Sequence, residues 1–305
     1  MASESELIAA LAAVFKLSDA NVRENVLIGI GDDGAVVAPS SRKSVLAADM
    51  AIEGVHFNRE WSTLGEIGAK ITAANLADIY AMGGEPKYLL VSAGLTADFG
   101  IAQVTELAKG IAEEAALVGA SVVGGDISRA EQLVISISVF GEVENPITRS
   151  GAKVEDSVII SGLPGMSAAG LLQLQSGITE STFVSAHKKP TVNYQLAKKF
   201  HGVNAMCDVS DGLLSELNHI ASASGVGIEL DSKLIAEIPG FQDLEAATKG
   251  DIWEVVLSGG EDHVFVATTS ADIPEGAYVI GKVVSGTGVK VSGISKLPAI
   301  GFRHF

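Results

Sequence analysis

The stretch from Val45 to Gly84 constrains the chain more than any other. It opens on SVLAADMAIEGVHF, whose apolar run is too short for a core helix and carries the marks of a buried strand, with Asp49 at its end. A helix follows from near Leu64 to the Gly83-Gly84 pair, a usual C-terminal stop. At helical spacing Ile71, Asn75, Asp78 and Met82 fall on one stripe. A carboxylate on an otherwise apolar stripe has to be paired or neutralised, because an isolated buried charge is very costly. Asp78 lies mid-helix, where it cannot serve as an N-cap. The stretch therefore predicts a strand and a helix, with Asp49 at the strand end and a buried Asp78 that has work to do or a cation to bind.

The remaining chain narrows that choice. With 305 residues there is room for two domains or one large one, and the 47% apolar content supplies a well-buried core. No apolar run reaches the roughly 18 residues that span a bilayer, so no membrane partner is expected. The start, MASESELIAALAAVFKL, has two early Glu residues and no basic region, and reads as a short amphipathic helix instead of a signal peptide. The single cysteine, Cys207, rules out internal disulfides and fits a reducing cytoplasm. A net charge of −16, with no basic cluster beyond Lys188-Lys189 and Lys198-Lys199, argues against nucleic acid as a partner. Several Asp residues sit beside glycines or inside apolar strands, which points to cation coordination instead of a merely solvated surface.

Taken in order, VLIGIGDDGAVVA (26–38) reads as strand, Gly-Asp turn, strand, and Asp32-Asp33 alone would be ordinary turn chemistry. LLVSAGL (89–95) is a strand, and 101–118 a helix with Val104, Leu107, Ile111, Ala115 and Val118 on one side. SVVGGD (121–126) predicts a strand entering a second Gly-Asp turn, and LVISISVFGEV (133–143) a long alternating strand. NPITRSGAKVED (145–156) interrupts the pattern and divides the chain into domains 1–146 and 147–305. Beyond it, GLPGMSAAGLLQLQ is a glycine loop entering a helix, able to cap it or to present N–H groups to an anion. Residues 190–200 predict a helix, with Pro190 in its first turn. AMCDVSDGLLSELNHIASASG gives strand, DVSDG turn and helix; VGIEL is a strand; EVVLSGGEDHVFVATT (254–269) reads as strand, glycine turn, strand. AYVIGKVV and GVKVSG form a hairpin across GTG. Helices and strands mix without strict βαβ alternation, which favours an α+β layered fold over a dinucleotide-binding sheet.

Five Asp-bearing turns or strand ends stand out, at Asp32-Asp33, Asp49, Asp126, Asp208 and Asp211, with Asp78 a sixth position on a helix. Converging carboxylates stay ionised only with cations between them. Mg²⁺ prefers carboxylate and water oxygens and bridges substrate phosphates, whereas the thiolate and imidazole pairs of a zinc site are missing. The joint pattern predicts several Mg²⁺ ions holding a nucleoside triphosphate for phosphoryl transfer, which needs positioning and charge neutralisation more than a covalent nucleophile.

These residues resemble the thiamine-monophosphate kinase family, within the superfamily of aminoimidazole ribonucleotide synthetase, selenophosphate synthetase and a hydrogenase maturation protein. GIGDDGAVV, the run from Asp49 through EGVHF, NLADIYAMGGEP, GGD, TRSGAK, DVSDGL, SGGED and the closing GFRHF carry the likeness in order across nearly the whole chain. GGD and SDGL are shared across the superfamily; EGVHF, SGGED and the aromatic-HF ending point to the thiamine enzyme. The resemblance implies a two-domain synthetase-like fold. Its N-terminal mixed sheet with helices would form a homodimer core, and its C-terminal α/β layered domain would complete the nucleotide and thiamine site. It implies ATP-dependent phosphorylation of thiamine monophosphate to thiamine diphosphate. Asp33, Asp49, Asp78, Asp126 and Asp208 would bind Mg²⁺ between the two phosphate chains, and Asp211 a further Mg²⁺. Asp49, Asp78, Asp126 and Asp208 would thereby be the catalytic set. Gly124, Gly125, Arg149 and Ser210 would contact ATP, and His56, Glu261 and Phe302 would line the thiamine site.

The chain departs from the family pattern in three places. Ala47-Ala48 stand where a Ser/Thr pair usually precedes the strand-end Asp, GGEDHVF replaces GGEDYEL, and HKKPTVNYQ lacks the usual arginine. Two other readings stand beside the kinase: another ATP-using member of the superfamily, or a non-catalytic nucleotide- or thiamine-binding relative. Selenophosphate synthetase would need a reactive Cys or selenocysteine near the N-terminus, and the hydrogenase maturation relative a Cys-bearing tail; this chain has neither.

Overall fold

A computed structural model describes residues 3–15, 24–31, 34–248, 250, 252–294 and 297–298, without the side chain of Glu4. The chain divides into two compact units, Met1–Ile79 with Gly84–Glu144, and Tyr80–Gly83 with Asn145–Phe305.

In the first unit, helix α1 (Glu4–Val14) starts at a reciprocal cap: Ser3 Oγ accepts from the Glu6 N–H, and the Glu6 carboxylate accepts from the Ser3 N–H. Strands β1 (Val26–Ile28) and β2 (Val36–Val37) pair antiparallel, as the strand–turn–strand reading requires. Strand β3 (Lys43–Ile52) runs past its apolar stretch, so Asp49 lies inside it instead of at its end, and only Val45 and Ala51 are buried where a buried strand was expected. Helix α2 (Leu64–Ala81) begins at a second reciprocal cap, between Thr63 and Glu66, and closes where Gly83 and Gly84 return N–H groups to the carbonyls of Tyr80 and Ile79. Then come β4 (Glu85–Leu95), α3 (Ile101–Ala116), β5 (Ser121–Arg129) and β6 (Val134–Val143).

The four long strands form one mixed sheet in the order β3-β6-β4-β5, antiparallel except for the parallel pair β4–β5. The alternation read in β6 is real: Ile135, Ile137 and Val139 are buried on one face, with Leu89 of β4 beside them. On α3 the buried stripe is Val104, Leu107, Ile111 and Ala115, four of the five residues its periodicity named. Helices α2 and α3 touch backbone to backbone, since a Cβ on Gly110 would run into the carbonyl of Gly65. The other face of the sheet is open. It carries Leu46 and Met50, 60% and 57% exposed, with Phe140 and Tyr88 in register beside Leu46.

GGD is not a turn. Strand β5 runs straight through Gly124, Gly125 and Asp126, which pair with Leu90, Val91 and Ser92. A Cβ on Gly125, at φ +158°, would strike the Val91 carbonyl, so the glycine serves close strand approach across a bulge.

The second unit holds β7 (Ser157–Ile160), α4 (Met166–Gln175), α5 (Thr182–Lys188), α6 (Tyr194–Lys199), β8 (Ala205–Asp208), α7 (Leu213–Ser224), β9 (Gly227–Asp231), α8 (Ser232–Ala236), α9 (Phe241–Thr248), α10 (Ile252–Ser258), β10 (Phe265–Thr269), β11 (Tyr278–Val284) and β12 (Gly288–Ser292). Its six strands run in the order β12-β9-β11-β7-β10-β8, antiparallel except for β12–β9. Ile160, Val266, Ile228 and Ile280 from the sheet and Leu217 and Ile220 from α7 share one core.

Three expectations fail here. The run before SGGED is helix α10, because a short apolar run is equally at home in a buried helix. The strands β11 and β12 are no hairpin, since β9 lies between them. The predicted helix over 190–200 is only Tyr194–Lys199, capped by Asn193, and Pro190 precedes it. The α+β class holds in both units.

Candidate active site

Asp49 is exposed on β3, and its backbone is fixed from behind. The Asp49 N–H donates to Asn75 Oδ1 at 3.0 Å, while Asn75, fully buried on α2, donates to the carbonyl of Ile71. The helix stripe thus reaches β3 through Asn75. Asp78 is half-buried, not buried, which corrects the expectation of a sequestered charge. Ala47 shares the face of Asp49 and Ala48 takes the opposite one, so only the first could have offered a hydroxyl beside Asp49. His56 sits in a tight loop after β3, where its Nδ1 accepts from the Ile52 N–H at 3.1 Å. That bond leaves the proton on Nε2 of the neutral ring.

Cross-strand register places Asp49, Ile137, Val91 and Gly125 in one row. Three strand spacings separate Asp49 from Gly125, about 14 Å. Asp126 follows Gly125 and is exposed, with Ser128 Oγ donating to Oδ2 at 3.4 Å. Above this end of the sheet opens a cavity of about 660 Å³. Ile8 and Leu11 of α1, Phe15 just beyond it, and Leu107 and Ile111 of α3 form its apolar wall; Gly29, Gly31 and Gly34, with Gly124-Gly125 and Asp126, give it a polar backbone-rich side. Such a volume suits a drug-sized ligand with one apolar and one charged end.

The second unit brings DVSDG and SGGED together. Glu261 N–H donates to the carbonyl of Ser210 at 2.7 Å, and His263 N–H to that of Val209 at 3.1 Å. Both Glu261 and His263 hold positive φ, 64° and 52°, an uncommon conformation for such residues. Asp208 is 3% exposed and lies 3.0 Å from His263 Nδ1, so the departure from the family's aromatic residue supplies a hydrogen-bond partner to a predicted site carboxylate. Ser210 and Asp211 are half-buried, and Arg149 is exposed with its guanidinium 3.5 Å from the carboxylate of Glu216.

The glycine loop before α4 has its anion already. Asp262 Oδ2 accepts from the Gly165 N–H at 2.6 Å and Oδ1 from the Ser167 N–H at 2.8 Å. Burial raises the Asp262 carboxyl to about 6, against the pull of those two N–H groups. Ser167 Oγ meets His187 Nδ1 at 3.1 Å, and the same nitrogen is 3.7 Å from Glu261 Oε2.

Asp33 and Phe302 lie outside the described residues. Among the described residues, no three His, Cys, Asp or Glu side chains gather closely enough to hold a metal ion. Asp49, Asp78 and Asp126 belong to the first unit, and Asp208 and Asp211 to the second. Among those residues too, no helix is long and apolar enough to cross a membrane. Asn75, Glu216, Asp262 and His187 escaped the sequence reading. Asn75 stood on the named stripe and Asp262 inside SGGED, but nothing local marked their partners.

Two family models cover most of the chain: AIR synthase related protein, N-terminal domain, over residues 31–143, and its C-terminal domain over 153–294. The chain is 39% identical over 269 residues to thiamine-monophosphate kinase of Mycobacterium tuberculosis, covering 86% of this chain and 80% of the relative. To thiamine-monophosphate kinase of Aquifex aeolicus it is 36% identical over 293 residues, covering 90% and 92%. A solved structure named AaThiL complexed with AMPPCP and TMP superposes with a TM-score of 0.80 at 32% identity, over 100% of this chain and 99% of that one.

Proposed function

Because the chain belongs to the thiamine-monophosphate kinase family, we propose that it transfers the γ-phosphoryl group of ATP to thiamine monophosphate, giving thiamine diphosphate and ADP. A phosphate oxygen of thiamine monophosphate attacks the γ-phosphorus, and the bond to the oxygen bridging from ADP breaks. The cavity of the first unit carries this reading: an apolar wall for a purine, and Gly124-Gly125 with Asp126 where phosphates would follow. A relative's structure named for AMPPCP, an ATP analogue, and TMP supports it. Gly124, Gly125, Arg149 and Ser210 hold the nucleotide, and His56, Glu261 and Phe302 the thiamine moiety.

The donor chemistry fits Mg²⁺. Asp33, Asp49, Asp78, Asp126, Asp208 and Asp211 supply hard oxygens, and one or two carboxylates per ion suffice when phosphates and water complete its shell. At about 14 Å, Asp49 and the Gly125-Asp126 end are too far apart to share one ion with bonds of about 2.1 Å, which favours several ions. Bound there, Mg²⁺ would neutralise the phosphate charge that otherwise opposes approach of the two substrates.

A homodimer through the N-terminal half belongs to the same proposal, supported by the open apolar face around Leu46, Met50 and Phe140. Replacing Leu46 and Met50 together by lysine should yield monomer by light scattering; an unchanged mass, or a wild type already monomeric, contradicts it. The cytoplasmic location expected from a single, buried cysteine is checked by cell fractionation, and recovery outside the cytoplasm refutes it. The reaction itself is tested by following thiamine diphosphate from thiamine monophosphate and ATP, with and without Mg²⁺. Product only with Mg²⁺ is expected; Mg²⁺-independent formation or no product counts against it.

A further inference from the structure

We propose that Glu216 is a positioning residue that sets Arg149 and Ser210 for the phosphates of the nucleotide. The inference rests on the kinase reading for the identity of that ligand. Glu216 lies in the first turn of α7 and is 1% exposed. Two segments about sixty residues apart converge on its carboxylate: Arg149 Nη2 is 3.5 Å from Oε2, and Ser210 Oγ donates to Oε1 at 3.5 Å. His219 Nδ1, one turn along the helix, stands 3.4 Å from Oε2.

The position is unfavourable for a carboxylate on its own account. Burial raises its pKa, the nearby Asp208 and Asp211 push the same way, and only Arg149 and His219 oppose them. The helix N-terminus helps an anion but by less than such burial costs. A carboxylate retained there at 1% exposure gains from holding its partners. The Arg149 side chain is 53% exposed, so its fork is anchored at one end and open to solvent at the other. An arginine held in that way meets a phosphate without first losing its rotamer freedom. The backbone of Arg149 is fixed as well, its carbonyl accepting from Ser224 Oγ at 3.0 Å. Glu216 thus links Arg149, which also meets the Cys207 thiol and the charge of Asp208, to Ser210.

The test reads Mg-AMPPCP binding by calorimetry on the full chain, with no thiamine monophosphate present, and thiamine monophosphate binding separately. Glu216→Gln keeps the volume and the acceptor for Ser210 but loses the charge that holds Arg149. It should weaken AMPPCP about tenfold, the worth of one charge-assisted bond, and leave thiamine monophosphate within about twofold. Glu216→Asp should recover part of the loss. In an Arg149→Met background, Glu216→Gln should add less than about twofold, because the partner is already gone. Unchanged AMPPCP affinity, equal loss of both ligands, or full additivity with Arg149→Met overturns the role. A wild type that binds AMPPCP yet forms no thiamine diphosphate would sink the kinase reading and leave Glu216 in place. A wild type that binds no AMPPCP would sink both.

Discussion

Asp49 and Asp126 of the first unit stand exposed on strands β3 and β5, with Ser128 Oγ donating to Asp126 Oδ2. Asp208, Glu216 and Asp262 of the second unit are each less than 7% exposed and lie against named partners: His263, Arg149 and the N–H groups of Gly165 and Ser167. Exposed carboxylates of this kind stay hydrated, so keeping them costs the fold little. The second set has been taken out of water and stays only because the fold supplies donors. The contrast predicts that loss of the first pair leaves stability unchanged, whereas loss of the second set lowers it.

Three substitutions can break or sharpen that contrast. Asp49→Asn should lower kcat on the order of a thousandfold, the scale of losing one preorganised charge at a phosphoryl site, with an unchanged melting temperature. A marked drop in thermal stability would erase the contrast, and full activity would remove Asp49 from the site. Asp208→Asn should cost activity and also about 3 kcal/mol of unfolding free energy in urea, because it breaks a buried pair by removing one partner. Stability equal to that of the Asp49 variant would mean that burial of Asp208 is inconsequential.

The smallest effect lies at Asp262 and has a definite sign. Its folded pKa, about 6, stands above the ordinary 3.8. The folded state therefore binds the extra proton, so the contribution is complete below the ordinary value and is lost as pH rises through about 6. Relative to Asp262→Asn, the wild type should lose at most about 3 kcal/mol between about pH 4 and pH 7. A parallel pair of stability curves would show that the two N–H bonds fully offset burial. A curve rising with pH would reverse the assignment.

The same contrast explains what could be read from the sequence. Strand β3 and helix α2 were legible because an apolar run marks the one, and a long periodic stripe closed by Gly83-Gly84 marks the other. Asp49 and Asp126 drew notice because a carboxylate beside small residues in an apolar run is conspicuous. GGD was misread because glycine signals a turn and close strand approach alike. The run Ile252–Ser258 was misread because seven residues, mostly apolar, do not reveal their period. The buried partners were beyond reach for a different reason. Asp262 caps a helix 97 residues away, and Asp208 meets His263 across 55. Such pairings are made by the sheet order β7-β10-β8 and have no local trace.

The central claim is direct transfer of one phosphoryl group to thiamine monophosphate. A single-turnover reaction with γ-labelled ATP, Mg²⁺ and thiamine monophosphate tests it most directly. The account predicts label in thiamine diphosphate with one ADP formed per product. Label released as inorganic phosphate, or AMP in place of ADP, would contradict it.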